Sequence, residues 1–239
     1  MSFAHLHVHT EFSLLDGSNK IKEYVSRVKE LGMNSAAITD HGVMYGVIDF
    51  YREAKKQGIN PILGCEVYVA PNSRFDREIT GGEDRYYHLV LLAENEEGYA
   101  NLTKIVSKGF VEGYYYKPRV DKELLRKYHK GIIALSACLA GEVARFLTKG
   151  LYEEAKKTAL EYQEIFGEGN FFLELQDQGL PEEAVTAAKQ KKICRASDFY
   201  RSRNRHFFRY QVRYDVVAIL GEEISWYQNA FPYTGACAW

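Results

Sequence analysis

Short apolar runs alternate with amphipathic helical stretches along most of the chain, and this alternation leaves few folds open. "SAAITDHG" (35–42), "NPILGCEVYVA" (60–70), "YYHLVLLAEN" (86–95), "GIIALSACLAGE" (131–142) and "NFFLELQDQG" (170–179) read as strands. Ser18 is the expected N-cap of a helix whose apolar stripe is Ile21, Tyr24, Val25, Val28 and Leu31, ended by Gly32. Further helices are expected from about Gly46 to Gln57, closed by Gly58, and over 96–110, 121–129, 142–150 and 151–166, with another starting in 180–192. "VEGYYYKPRV" (111–120) is expected to be a loop. The opening run Phe3–His9 alternates apolar and polar residues, which predicts a strand with Leu6 and Val8 on one face and His5, His7 and His9 on the other. Strands as apolar as "GIIALSA", mostly alternating with helices, predict a parallel α/β sheet, open or closed into a barrel.

Composition narrows the class without naming a function. The 239 residues suit one large domain or two small ones, and a net charge of −1 supplies no global field toward nucleic acid or membrane. This argues against a stand-alone DNA-binding module but not against a DNA enzyme with a local basic groove. No run reaches the roughly 18 apolar residues that span a bilayer, and no secretory signal pattern opens the chain, so no membrane partner is expected. Cys65, Cys138, Cys194 and Cys237 form no CxxC pair, so a disulfide framework is not expected and a reducing cytoplasm is the expected compartment.

The chemistry gathers at the strand ends. Parallel α/β proteins place functional groups at the carboxyl ends of their strands. Here those ends carry His7 and His9, then Thr39, Asp40 and His41, then Glu66, His88 and Cys138, and finally Glu174, Gln176 and Asp177; Asp16 joins from the first loop. Imidazole, thiolate and carboxylate are the ligands of zinc and other first-row divalent metals. Such a set exceeds the needs of one tetrahedral ion, so a cluster of two or three is expected if they converge. Paired ions suit hydrolysis of phosphate esters. Singly, His41, His88 and Cys138 would each read as ordinary core residues, and Asp16-Gly17 as a turn; the joint order and spacing carry the expectation. His5 sits nearest the strand's start and is expected beside the site, and His129 and His206 are expected to be structural.

These motifs resemble the PHP (polymerase and histidinol phosphatase) family. "HLHVHTEFSLLDG" is similar to its HxHT motif with the Asp-Gly of the polymerase branch, and "GYYYKPRVD" and "SACLAGE" are specific to that branch. The resemblance covers residues 1–188. It implies a distorted, TIM-like (β/α)7 barrel with up to three divalent ions, Zn, Mn or Mg, at its carboxyl rim. The implied metal ligands are His7, His9, Asp16, His41, Glu66, His88 and Cys138, with His9, Asp16 and His41 catalytic and Asp40 orienting His41. The implied activities are 3′–5′ exonuclease or phosphoesterase. The implied partners are the other subunits of a replicative polymerase holoenzyme, and DNA through a polymerase region that this chain lacks.

The last part of the chain departs from that pattern. The family's final motif, Asp-x-His on a late strand, does not occur after Lys189, which leaves the barrel and its site incomplete at the C-terminus. Residues 189–239 are basic at first, then aromatic, and share no resemblance; a shifted reading frame or a truncated gene would produce such a tail. "YDVVAILG" (214–221) is the one good strand candidate in it. Three functional expectations follow: the PHP portion of a replicative polymerase, a free-standing phosphoesterase of the histidinol-phosphatase kind, or a non-catalytic scaffold.

Overall fold

A computed structural model describes residues 3–78, 85–176, 216–220 and 223–227. The chain divides into two compact units, Met1–Glu174 and Leu175–Trp239. The expected boundary after residue 188, the helix starting in 180–192, Asp177, Cys194, His206 and Cys237 lie outside the described residues.

The first unit is a mixed α/β layer structure. Its strands are β1 (Ser35–Ile38), β2 (Asn60–Val69), β3 (Tyr87–Ala93), β4 (Tyr114–Tyr115), β5 (Lys117–Val120), β6 (Ile132–Leu135) and β7 (Phe171–Phe172). They form one sheet in the order β4-β5-β2-β3-β6-β7, with β1 also paired to β2. Helices α1 (Ile21–Glu30), α2 (Val47–Gln57), α3 (Glu96–Val111), α4 (Lys122–Tyr128), α5 (Glu142–Thr148) and α6 (Tyr152–Phe166) connect them. Among the described residues the sheet does not close by backbone pairing. In the second unit, β8 (Val216–Leu220) and β9 (Glu223–Tyr227) pair antiparallel, so the candidate strand in the tail forms over 216–220 and, among the described residues, pairs with β9 alone.

The sheet is mixed rather than parallel, and one connection explains it. β1, β5, β6 and β7 follow the parallel expectation, but β3 runs antiparallel to both β2 and β6. A parallel return needs a crossover of a dozen or more residues, usually a helix, and no helix is described between Val69 and Tyr87. The reversal puts the start of β3, where His88 lies, at the same rim as the ends of β1, β2, β6 and β7.

Three local expectations are corrected. Residues 3–9 form no strand ladder. They run beside β1, with His5 O accepting from Ala37 N and Val8 O from Thr39 N, while the donors of Val8 and Thr10 go to the side chains of Thr39 and Asp40. Leu6 is exposed there instead of buried. Ser18 does not cap α1: Lys20 holds that position without a side-chain hydrogen bond. Residues 111–120 are not a plain loop but contain the β4–β5 hairpin, turned by Tyr116 at φ 61°. The run of tyrosines there favours strand geometry, and Pro118 sits opposite Tyr114.

Alternation along β2 separates core from site. Cys65, Val67 and Val69 join Leu89, Leu91, Leu102, Leu124, Leu125 and Tyr162 in the main cluster beneath α3, α4 and α6. A second cluster packs α1 and α2 on β1 through Val25, Val28, Ile38 and Phe50. Glu66 lies out of phase with these apolar residues, on the other side of β2.

One helix start depends on a bare backbone. Asn95 caps α3 by accepting from Gly98 N, and a Cβ at Gly98 would lie 1.7 Å from Gly131 O. Neither partner is a flexible side chain, so Gly98→Ala is expected to cost about 3 kcal/mol through overpacking. A lowered urea midpoint with unchanged slope checks this; an unchanged midpoint contradicts it.

Candidate metal centre

The opening segment, the ends of β1 and β2 and the start of β3 meet at one rim, and four imidazoles there surround one carboxylate. Glu66 is fully buried. Its Oε2 lies 3.0 Å from His7 Nε2, 2.9 Å from His9 Nε2 and 3.3 Å from His41 Nδ1. His88 Nδ1 sits against its Oε1. The floor beneath is apolar: Ala37, Val90, Leu92, Leu135 and Ala137 form one buried cluster.

The remaining expected residues flank this group. Asp16 Oδ2 accepts from His41 Nε2 at 2.9 Å, and Cys138 Sγ lies 3.6 Å from His88 Nδ1. The rings of His9 and His41 stack at 4.0 Å, and those of His41 and Tyr68 at 6.1 Å. All seven side chains therefore fall in one connected cluster. His5 packs edge-on against Phe3, with burial holding its imidazole below its ordinary value. His129 lies elsewhere and bonds Arg126 O.

The loop that carries Asp16 is held by Asp40 through Thr10 and Ser13, two residues the sequence reading did not single out. Asp40 is buried and accepts from Thr10 N (2.6 Å), Thr10 Oγ1 (2.7 Å) and Ser13 Oγ (2.7 Å). Ser13 Oγ in turn accepts from His41 N. Asp40 thus does not bind the His41 ring, as expected of it, but ties the 10–17 loop to the end of β1. Its side chain follows the loop because three donors wait there. Gly17 completes the turn: its N donates to Ser13 O, and a Cβ would lie 1.9 Å from Thr10 O. The short hydroxyl residues directly after His9 were the available signal.

Electrostatics set the protonation of the metal-free cluster. Burial pushes the Glu66 carboxyl up, but His7, His88 and His9 outweigh it and hold it well below the usual carboxylate range. Burial pulls His7 down, yet hydrogen bonds to Glu174 and Glu66 push it up to about 10. His88 is likewise lowered by burial and raised by Cys138 and Glu66, to about 9. His41 is lowered, mainly by burial.

The donor atoms fit a metal better than they fit one another. His41 Nδ1 and Glu66 Oε1 are buried without an aligned hydrogen-bond partner, an arrangement that buried polar atoms ordinarily avoid. Two groups, His7–His9–Glu66 and His41–Glu66–His88, bring their ligand atoms within 4.8 Å of one another, and Glu66 belongs to both. Nitrogen and carboxylate ligands of this kind point to divalent metals.

Metal binding to such a cluster releases protons, because a ligating imidazole must be neutral at the binding nitrogen. His7 and His88 hold protons until the pH approaches about 10 and about 9, so uptake at neutral pH expels about two and apparent affinity rises with pH toward those values. Calorimetry in buffers of different ionisation enthalpy checks this; a heat independent of buffer contradicts it.

Sequence comparison fits this geometry. A family model described as the PHP domain matches residues 5–178. The chain belongs to the PHP family. Among curated proteins, this PHP chain is 51% identical over 188 residues to the DNA polymerase III subunit alpha of Treponema pallidum, covering 78% of the chain and 16% of that protein. It is 50% identical over 190 residues to that of Helicobacter pylori strain 26695, with 75% and 15% covered. It is 43% identical over 198 residues to that of Thermus aquaticus, with 82% and 16% covered. The chain thus spans about one sixth of the length of these relatives. Among solved structures, an amidohydrolase from Chromobacterium violaceum aligns over 82% of this chain and 83% of its own, at TM-score 0.51 and 15% identity, a likeness of fold. Among the described residues, no helix is long and apolar enough to cross a membrane.

Proposed function

We propose that this chain is the PHP module of a bacterial replicative DNA polymerase alpha subunit and that its rim holds divalent metal for phosphoester hydrolysis. The observation that carries the reading is the convergence of His7, His9, His41 and His88 on the buried Glu66, with His41 Nδ1 and Glu66 Oε1 lacking an aligned hydrogen bond. His7, His9, Asp16, His41, Glu66, His88 and Cys138 would hold the ions, of which Zn, Mn and Mg are the candidates. When bound, the ions would supply Lewis acidity and acidify water toward pKa ~7. The protein's own groups do the positioning. Glu66 neutralises the cluster from within the floor, Asp40 fixes the loop that brings Asp16 to His41, and the stacked His9 and His41 rings each turn one nitrogen toward Glu66 Oε2. The proposed substrate is the 3′ end of DNA, and the proposed partners are the rest of the polymerase and its holoenzyme subunits.

The test is cleavage of a 3′-ended single strand by the purified chain in Mn²⁺ or Zn²⁺. His9→Ala is expected to abolish it, and undiminished cleavage by that variant would place the activity elsewhere. The absence of Asp-x-His after Lys189 favours a second reading, a metal-binding scaffold without turnover. Full metal uptake with no cleavage under any of these ions would select it.

A further inference from the structure

Glu174 stands outside the ligand set, yet it makes the tightest contact of the opening segment with the far side of the sheet. His7 Nδ1 donates to Glu174 Oε1 at 2.7 Å, across 167 positions of sequence. Both side chains are nearly buried, at 10% and 13% exposure. The carboxylate is fixed by its own backbone: Ser136 N donates to Phe172 O, and Glu174 N donates to Ser136 Oγ at 2.9 Å, so the exit of β7 is pinned to the end of β6. The opening segment lies beside β1, which branches from β2, and β7 ends the strand order on the far side of β3 and β6. Among the described residues, the His7–Glu174 bond therefore links two segments that no backbone pairing joins.

An imidazole has two nitrogens, and a partner on one decides what the other can do. With Nδ1 engaged by Glu174, His7 presents Nε2 to Glu66, 3.0 Å away and beside His9. We propose that Glu174 is a positioning residue for the His7–His9–Glu66 group: it holds the Nδ1–H form of His7 and turns Nε2 toward a bound ion. The inference rests on the metal reading given above. Carboxylates that accept from the distal nitrogen of a ligand histidine fix its tautomer and raise its basicity, and their loss costs 10–100-fold in metal affinity.

The test compares wild type, Glu174→Gln and Glu174→Ala. Zn²⁺ affinity is measured by chelator competition, Co²⁺ by its visible absorption, and the thermal midpoint of each protein without metal. Glu174→Ala is expected to lose about 10–100-fold in affinity for one ion. Glu174→Gln, which keeps an acceptor oxygen, is expected to recover part of it. The Co²⁺ spectrum of Glu174→Ala is expected to shift together with the affinity, while the metal-free midpoint falls because the His7 bond is lost. A lowered metal-free midpoint with unchanged affinity and spectrum would show that Glu174 only braces the fold. Equal affinity in all three proteins overturns the proposal and leaves the metal reading intact, whereas a wild type that takes up no metal overturns both.

Discussion

Glu66→Gln is expected to remove metal binding almost entirely while leaving the chain folded. The substitution keeps the shape of a side chain that is fully buried on β2 but deletes the charge that four imidazoles face. Because Glu66 belongs to both candidate ligand groups, its loss reaches both groups at once. The affinity loss should exceed the roughly 100-fold upper range seen for partners that merely support a ligand. In the metal-free protein the imidazoles lose the carboxylate that raises His7 and His88, so both titrate at lower pH. Chelator competition with Zn²⁺ reads the affinity, and NMR titration of the imidazoles reads the shift. Wild-type affinity in the variant would show that the histidines bind without Glu66.

Asp40→Ala is expected to cost stability and the site together. It strands the Thr10 N–H and hydroxyl and leaves the Ser13 hydroxyl only the longer contact to His9 Nδ1 at 3.4 Å, and Thr10 and Ser13 are both buried. Leaving such groups unpaired costs about 1–3 kcal/mol each where water cannot reach them, and about 3–5 kcal/mol is expected in total after relaxation. Asp40→Asn keeps one acceptor oxygen and should lose about half as much. Since the same carboxylate ties down the loop carrying Asp16, metal affinity should fall in step with stability across the two variants. Urea unfolding and Zn²⁺ competition measure the two quantities. Stability lost with affinity unchanged would separate the loop from the site.

The pattern of the site was legible because rim positions are a matter of strand order. His41, Glu66, His88 and Cys138 lie near strand ends or starts, and the fold brings them together with Asp16 and with His7 and His9 of the opening segment. His88 reached the rim for a different reason from the others. It opens an antiparallel strand, and among the described residues no helix stands between Val69 and Tyr87 to carry a parallel return. What sequence reading did not supply was the choice of partner. Asp40 neighbours His41 in sequence, but its side chain turns to Thr10 and Ser13, where three donors outweigh one. Glu174 was placed on the rim and left out of the site, since its contact with His7 depends on how far the sheet curls. The opening segment failed as a strand because Thr39 and Asp40 side chains take donors that a ladder would use. In the tail, "YDVVAILG" carried a true strand signal, but a period of two does not reveal which strand lies alongside.

The central claim is that one buried carboxylate organises a two-ion site, and metal content tests it most directly. The measurement is elemental analysis of the whole chain after loading with Zn²⁺ or Mn²⁺ and removal of excess, with Glu66→Gln alongside. The expected result is at least two equivalents in the wild type, one for each ligand group, and none in the variant. Less than one equivalent in the wild type, or equal content in both proteins, would contradict it.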